Sequence, residues 1–409
     1  VVPLNTYFTQ KQIIKLIKSL KCTAIVVSHA VIKKNIKTIN CVDLHNLVSL
    51  DPVNKQPYDF NNSVMGKRKD ATIFLTSGST GEPKAVVHIY ENHIKSAQGS
   101  NANIPVSAGH RWLLSLPLYH VGGFAVLLRT ALAGGAIVVP DKKESIFKTI
   151  KKYQITHISL VAAQLKGLLS QSDKVSNLSS LKAVLLGGGS IPVNLIKKGL
   201  NKNMPLYKSY GSTEMASQIT TTRNGDSETR LKTSGRLLKY RELRLADDGE
   251  IFVKGQTLFK GYLKTGKIVK PFDKNGWFPT GDTGRLDKQD YLTITGRKDN
   301  MFISGGENIY PEEIENEICR LKGVEEAVVV PVKDAKFGQR PAVFLKMKTG
   351  KNPDKNLVKA FLKKSLPKYK IPDYFFPWPE NLNPNEIKTN RTCFKALAAR
   401  LHRISRALS

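Results

Sequence analysis

The loop from Thr76 to Lys84 reads Thr-Ser-Gly-Ser-Thr-Gly-Glu-Pro-Lys and follows the apolar run Ala71-Thr72-Ile73-Phe74-Leu75. Gly78 and Gly81 let backbone amides approach a ligand, Thr76, Ser77, Ser79 and Thr80 offer hydroxyls, and Lys84 brings a point charge. That set suits a polyphosphate. The spacing is not that of a Walker A loop, so its companions must decide between a phosphate site and a polar linker.

Four further stretches share the pattern of an apolar run ending in a loop with chemical potential. Tyr119-His120-Val121-Gly122-Gly123 sets a histidine behind the run 112–118. Gly187-Gly188-Gly189 follows Ala183-Val184-Leu185-Leu186 and would admit a flat ring against bare backbone. Tyr210-Gly211-Ser212-Thr213-Glu214 offers an aromatic face, two hydroxyls and a carboxylate of the kind that holds Mg²⁺ beside phosphates. Thr280-Gly281-Asp282 places a carboxylate behind a tight turn, able to accept from both hydroxyls of a ribose. In α/β sheets ligands collect at the carboxyl ends of strands, which is where these loops fall. Taken singly, each has a plainer reading as a core histidine, a tight turn or a turn aspartate. Arg129 stands alone on an apolar helix predicted for 124–133, and a buried guanidinium there calls for an anionic partner.

The elements that must position these loops alternate between strand-like runs (24–28, 71–75, 112–116, 136–139, 158–161, 183–186, 206–209) and helical spacings (13–20, 90–97, 146–153), an α/β rhythm with a parallel sheet. From Gly235 to Thr295 the texture changes to short alternating runs at 243–245, 250–253 and 258–259, a small β subdomain. The polar break Gly296-Arg297-Lys298-Asp299-Asn300 marks a boundary between a large lobe, 1–298, and a small α+β lobe, 299–409. Within the small lobe, helices are expected at 312–321 and 357–366 and strands at 327–332 and 342–346, before a basic last helix.

A chain of 409 residues with 41% hydrophobic and 24% charged content is globular material too long for a single core. Its 64 Lys+Arg against 33 Asp+Glu give a formal charge of +31, which favours anionic partners, but the lysines are scattered in amphipathic stretches, so no specific nucleic-acid partner is implied. Cys22, Cys41, Cys319 and Cys393 lie far apart without C-x-x-C spacing, which argues against zinc or a disulfide framework and for a reducing, cytoplasmic setting. No run is long and apolar enough for a membrane span, and no signal peptide is visible. A homo-oligomer is compatible with the sequence.

Together, the stretches 76–84, 119–123, 210–214, 280–282, 296–299 and 305–309 occur in the order of the acyl-adenylate-forming superfamily, which the chain resembles over nearly its whole length. Ser-Leu-Pro-Leu-Tyr-His at 115–120, Met-Ala-Ser-Gln-Ile at 215–219 and the stretch 330–341 are most similar to the branch that joins an aromatic dicarboxylic acid to CoA in menaquinone biosynthesis. The resemblance implies an ATP-dependent acid–CoA ligase that uses ATP, Mg²⁺ and CoA. By the same resemblance, the loop 76–84 would bind phosphates, Glu214 the Mg²⁺, and Asp282 with Arg297 the ribose. Tyr210 and the 187–189 turn would sandwich adenine, with Gly211 and Thr213 alongside. His120 would lie beside the acyl group. The second carboxylate of such an acid is not activated and must be held elsewhere, and Arg129, nine positions after His120 on its apolar helix, is the candidate to hold it, against the plainer reading of a snorkelling or internally paired arginine. Asp299 matches the hinge, Gly305 and Gly306 would meet CoA, and Lys388 matches the catalytic lysine. Two departures stand out. Ile387 occupies the place of a usual glycine, and family members carry further sequence before a stretch like Val1-Val2-Pro3-Leu4, whose loss would leave a sheet edge unpaired. The remaining alternatives are another aryl- or acyl-CoA ligase and a shortened, inactive homologue that retains nucleotide binding.

Overall fold

The computed structural model describes residues 1–5, 10–20, 22, 24–27, 40–43, 66, 68–76, 83–141, 144–171, 178–348, 354–379 and 391–407. At its centre is a seven-stranded sheet in the order Arg236–Leu237, Ser217–Thr221, Leu206–Ser212, Ala183–Leu186, His157–Leu160, Arg111–Leu113, Ala136–Val138. The strands from Leu206–Ser212 onward in that order run parallel, and the other two pair antiparallel. A parallel sheet covered on both faces needs strands that are apolar on both sides, and His157–Leu160 and Ala183–Leu186 are buried at every position. Side chains alternate across such a strand. Val184 and Leu186 join Ile150, Leu165 and Ile196, which come from the helices Ile146–Tyr153, Ala162–Leu169 and Val193–Leu200. Ala183 and Leu185 join Trp112, Val126 and Tyr207 on the other face.

Two four-stranded antiparallel sheets complete the large lobe. One runs Lys267–Val269, Gly261–Lys264, Lys84–Ile89, Asp70–Thr76, and the other Arg241–Leu245, Glu250–Gly255, Phe278–Leu286, Leu292–Arg297. Phe74, Val86, Met215, Ile251, Phe259 and Leu292 form the core between them. Val1 lies along the Asp70–Thr76 strand, donating to the Ala71 carbonyl at 2.8 Å and accepting from the Ile73 amide at 2.9 Å.

The small α+β lobe opens with the hairpin Phe302–Ser304 and Glu307–Ile309 and the helix Pro311–Ile318. Its sheet runs Val324–Asp334, Gly338–Met347, Tyr374–Pro377. Ile314, Val329, Val343 and Leu362 fill one face, and Val330, Phe344, Phe394 and Ala398 fill the other. Phe394 and Ala398 belong to the last helix, Arg391–Ala407.

Three local expectations change. The 210–212 segment is strand rather than loop, because Leu206–Ser212 continues to pair with Ser217–Thr221. Residues 258–259 form no strand: the Phe259 amide turns to the Glu214 carbonyl at 2.8 Å. The helix bearing Arg129 runs Val121–Leu132, with His120 as its N-cap. Its early start needs Gly123, since a Cβ there would stand 2.2 Å from the Pro117 carbonyl oxygen.

Two histidines are sealed beneath the first four-stranded sheet. His93 Nε2 lies 2.8 Å from Thr72 Oγ1, and His88 donates through Nε2 to the Thr213 carbonyl at 2.9 Å. Burial pushes His93 down to about 4 and, with the neighbouring His93, pushes His88 well below its ordinary value. An unfolded chain protonates both near the usual ~6.5, whereas the folded chain resists protonation until much lower pH. Stability is therefore complete above about 6.5 and is lost as pH falls from there toward 4, with His93 contributing on the order of 3 kcal/mol. Thermal melts at pH 7.5 and 5.0 should show a drop on acidification that shrinks in His93→Gln; an undiminished drop would exclude His93 as a source.

Candidate nucleotide and acyl site

Strands Asp70–Thr76 and Lys84–Ile89 pair with Thr76 opposite Lys84, so the phosphate-loop candidate bridges two neighbouring strands. Ser77, Gly78, Ser79, Thr80 and Gly81 lie outside the described residues, as does Lys388. Lys84 Nζ stands 5.4 Å over the ring of Tyr262, which the adjacent strand Gly261–Lys264 contributes.

Four candidates sit at or beyond the carboxyl ends of parallel strands: His120 after Arg111–Leu113, the 187–189 turn after Ala183–Leu186, Tyr210 within the last residues of Leu206–Ser212, and Glu214 just after that strand. Gly187 faces Ser209, whose hydroxyl donates to the Leu186 carbonyl at 3.1 Å; a Cβ on Gly187 would come within 2.9 Å of the Ser209 hydroxyl oxygen. Gly188 has φ +80°, which favours glycine, and Gly189 has nothing within 4 Å of where a Cβ would stand. Gly211 is packed far more tightly, its Cβ position lying 1.9 Å from the Ser217 carbonyl oxygen.

Glu214 occupies the short helical turn Thr213–Met215 and is held from several sides. His88 grips the carbonyl before it, the Phe259 amide grips its own carbonyl, and the Tyr262 hydroxyl donates to its Oε1 at 2.8 Å. Ala216 and Ser217 follow at φ +51° and +110°, uncommon conformations for side-chain-bearing residues. Ser96 holds the Ala216 carbonyl at 2.7 Å, and Arg129 donates to Ser217 Oγ at 2.9 Å.

Arg129 is 1% exposed, stacks 5.6 Å over Trp112, and keeps Nε without a partner. Among the described residues no carboxylate pairs with it; a hydroxyl and an indole face stand where the sequence called for an anion. Burial pushes it down to about 10.

The ribose candidate is the most elaborate part of the site. Tyr210 donates its hydroxyl to Asp282 Oδ2 at 2.7 Å, and Arg297 donates to Oδ1 at 2.9 Å. Burial, reinforced by Asp282, pushes the Tyr210 hydroxyl well above its ordinary value and keeps it a donor. Behind the turn, Glu250 accepts from the Gly281 amide at 3.2 Å and pairs with Lys298 at 2.6 Å. Arg297 also reaches Asp299 at 3.2 Å, so the hinge candidate touches the ribose candidate through one guanidinium. Asn300 donates to Glu312 at 2.6 Å, and Glu312 in turn pairs with Arg391 at 3.3 Å. Gly305 and Gly306, at φ +59° and +88°, form the turn of the first hairpin in the small lobe.

Sequence reasoning missed Tyr262, His88, Glu250 and Glu312. Each acts through a partner at least twelve positions away, from Glu312 with Asn300 to His88 with Thr213 125 positions on, and no local spacing announces such pairs.

The AMP-binding enzyme family matches residues 1–263, and the AMP-binding enzyme C-terminal domain matches residues 313–383. A 2-succinylbenzoate–CoA ligase from Listeria innocua is 33% identical over 371 residues, covering 90% of this chain and 77% of the relative. The ligase of the same name from Bacillus velezensis is 37% identical over 317 residues, covering 75% and 64% respectively. The chain thus spans between 64% and 77% of the length of these curated relatives. Among solved structures, o-succinylbenzoate CoA synthetase from Bacillus subtilis, in complex with the acyl-adenylate intermediate, superposes with TM-score 0.83 at 30% identity, covering 96% of this chain and 82% of that one. The same enzyme in complex with ATP and magnesium ion superposes with TM-score 0.79 at 30% identity, covering 92% and 80%.

The glycines separate packing from ligand access. Gly211→Ala meets backbone that cannot give way and should cost at least about 2 kcal/mol, read as a clear fall in melting temperature. Gly189→Ala points into open space and should melt with the parent; equal destabilisation of the two variants would contradict this geometry.

Proposed function

The chain belongs to the AMP-binding enzyme family, and from that premise we propose that it is an ATP-dependent acid–CoA ligase whose acid is 2-succinylbenzoate. The observation that carries the reading is the Asp282 carboxylate, fixed by Tyr210 on one oxygen and Arg297 on the other at the mouth of the parallel sheet. A carboxylate has about four acceptor positions, so two remain to take the hydroxyls of a ribose. Relatives that share this fold carry the 2-succinylbenzoate–CoA ligase name, which supports the choice of acid.

The chemistry has two steps. A carboxylate oxygen of the acid attacks the α-phosphorus of ATP and the bond to the bridging oxygen breaks, giving acyl-adenylate and pyrophosphate. The CoA thiolate then attacks the acyl carbon, AMP departs, and the thiol proton is released. No enzyme nucleophile is needed. The 76–84 loop and Lys388 stabilise charge that grows on phosphate oxygens, an electrostatic role. Tyr210 and the 187–189 turn flank the adenine, and His120 borders the acyl group. Arg129 holds the spectator carboxylate: its buried Nε retains a donor with no partner. Rotation about Asp299 then brings Gly305 and Gly306 to the CoA channel.

The donor set fits magnesium. Glu214 offers a hard carboxylate oxygen, the donor that suits Mg²⁺ when the ion is shared with phosphates and water. When bound, the ion would neutralise charge on the phosphates.

The setting is cytoplasmic on this reading. Among the described residues no helix is long and apolar enough to cross a membrane, and Cys22, Cys319 and Cys393 are free thiols.

Supplied with 2-succinylbenzoate, ATP and CoA, the 409-residue chain should release AMP and pyrophosphate in equal amounts; no release with this acid, but release with another aryl acid, would replace the substrate assignment. Lys388→Ala should slow adenylate formation roughly 100-fold or more while sparing transfer from pre-formed acyl-adenylate to CoA. Equal damage to both half-reactions would refute that role.

Arg129→Leu should raise KM for 2-succinylbenzoate strongly and change KM for ATP little, since binding of one substrate alone is lost. Unchanged kinetics toward the acid would remove Arg129 as the anchor and turn attention to Lys208, a half-buried lysine that burial pushes down to about 8.

A further inference from the structure

Tyr262 lies at the meeting point of the phosphate-loop sheet and the Glu214 turn. Its strand pairs with Lys84–Ile89, with Tyr262 opposite Val86, two residues beyond Lys84. The ring is packed 4.8 Å from Phe259 and 5.2 Å separates Phe259 from Phe278, so the tyrosine is anchored in the core while its hydroxyl projects to Glu214 Oε1 at 2.8 Å. Lys84 Nζ lies 5.4 Å over the same ring. One side chain therefore touches the carboxylate at one end and carries the loop lysine on its face.

The backbone of the turn is already fixed without Tyr262. His88 holds the Thr213 carbonyl and Phe259 holds the Glu214 carbonyl. What those bonds leave free is rotation of the Glu214 side chain, which has three torsions between backbone and carboxylate. The Tyr262 hydroxyl is the group that removes that freedom, and it takes Oε1; no hydrogen bond to Oε2 is formed among the described residues.

We propose that Tyr262 is a positioning residue for divalent cation: it fixes the Glu214 carboxylate through Oε1, leaving Oε2 for the metal, and registers it against Lys84. This rests on the nucleotide site proposed above. The alternative is a tyrosine whose hydroxyl merely finds an acceptor because it is buried. The two differ in what they predict for metal. Groups that orient a ligand from outside the coordination sphere are worth about 10- to 100-fold in metal affinity, whereas a packing tyrosine affects all ligands alike.

The test is titration calorimetry on the whole chain with α,β-methylene-ATP, at graded Mg²⁺, for the parent, Tyr262→Phe, Glu214→Gln and the double variant, each checked by thermal melting. Phenylalanine keeps the ring in place. In Tyr262→Phe the Mg²⁺ concentration for half-maximal enhancement should rise about 10- to 100-fold, while AMP binding without metal stays unchanged. Adding Tyr262→Phe to Glu214→Gln should change nothing further. Unaltered Mg²⁺ dependence, a further effect in the Glu214→Gln background, or a matching loss of metal-free AMP binding would each overturn the proposal. If the parent chain itself binds no nucleotide, the nucleotide reading fails instead, and that outcome is visible before any variant is compared.

Discussion

The Asp282 carboxylate is shared between two sheets that also meet through a common apolar core. Tyr210 reaches it from the seven-stranded sheet and Arg297 from the last strand of the second four-stranded sheet. Hydrogen bonds to a charged group contribute about 1.5–3 kcal/mol each when shielded from water. Asp282 is shielded, with 14% of its side chain exposed, so the bond from Tyr210 falls in that class, while Arg297, 44% exposed, contributes less. The same guanidinium continues to Asp299, but there the side chains are 44% and 56% exposed, and a pair so wet is worth no more than about 1 kcal/mol. The gradient has a mechanical meaning. Arg297 is held more firmly on its Asp282 side than on its Asp299 side, so the proposed turning of the small lobe about Asp299 would leave the carboxylate in place.

The small lobe has its own fixed point. Arg391 opens the last helix and pairs with Glu315 while also donating to the Val329 carbonyl. Burial raises the Glu315 carboxyl above its usual value, and Arg391 opposes that shift. Breaking one partner of such a pair costs about 3–5 kcal/mol, because the other is left as an unpaired buried charge. Glu312 then joins this point through Asn300 to the neighbourhood of Asp299, the hinge candidate, and it does so beside Gly296, where a Cβ would stand 2.8 Å from its carboxylate. Arg391 follows Lys388 by three positions in sequence.

Sequence patterns were informative wherever a single periodicity governed an element. The helix Ile146–Tyr153 and the strand Ala183–Leu186 fall where their spacing puts them, because one face or both faces of each had to be apolar. Patterns failed where a distant partner decided. Residues 258–259 look like a strand, yet the Phe259 amide is claimed by the Glu214 carbonyl, and residues 210–212 look like a loop, yet the ladder to Ser217–Thr221 extends them. The candidate site reads in the sequence as a set of strand-end loops, and the resemblance to a known family comes from their order. The supporting groups were not legible: nothing near Tyr262 in the chain indicates that its acceptor lies 48 residues earlier.

The turn after Glu214 explains why so much of the site is built from buried hydrogen bonds. Positive φ at Ala216 and Ser217 costs of the order of 1–3 kcal/mol each and persists only where surroundings over-determine it. Ser96 fixes the first carbonyl, Arg129 fixes the second side chain, and Gly211 lets the neighbouring strand close to a distance no other residue would tolerate. Arg129 is thus part of the framework of the Glu214 turn as well as the proposed anchor of the acid. Glu214 itself is held independently of that arginine, by Tyr262 on its carboxylate and by the Phe259 amide on its carbonyl, so the bonds of the turn divide between its two ends.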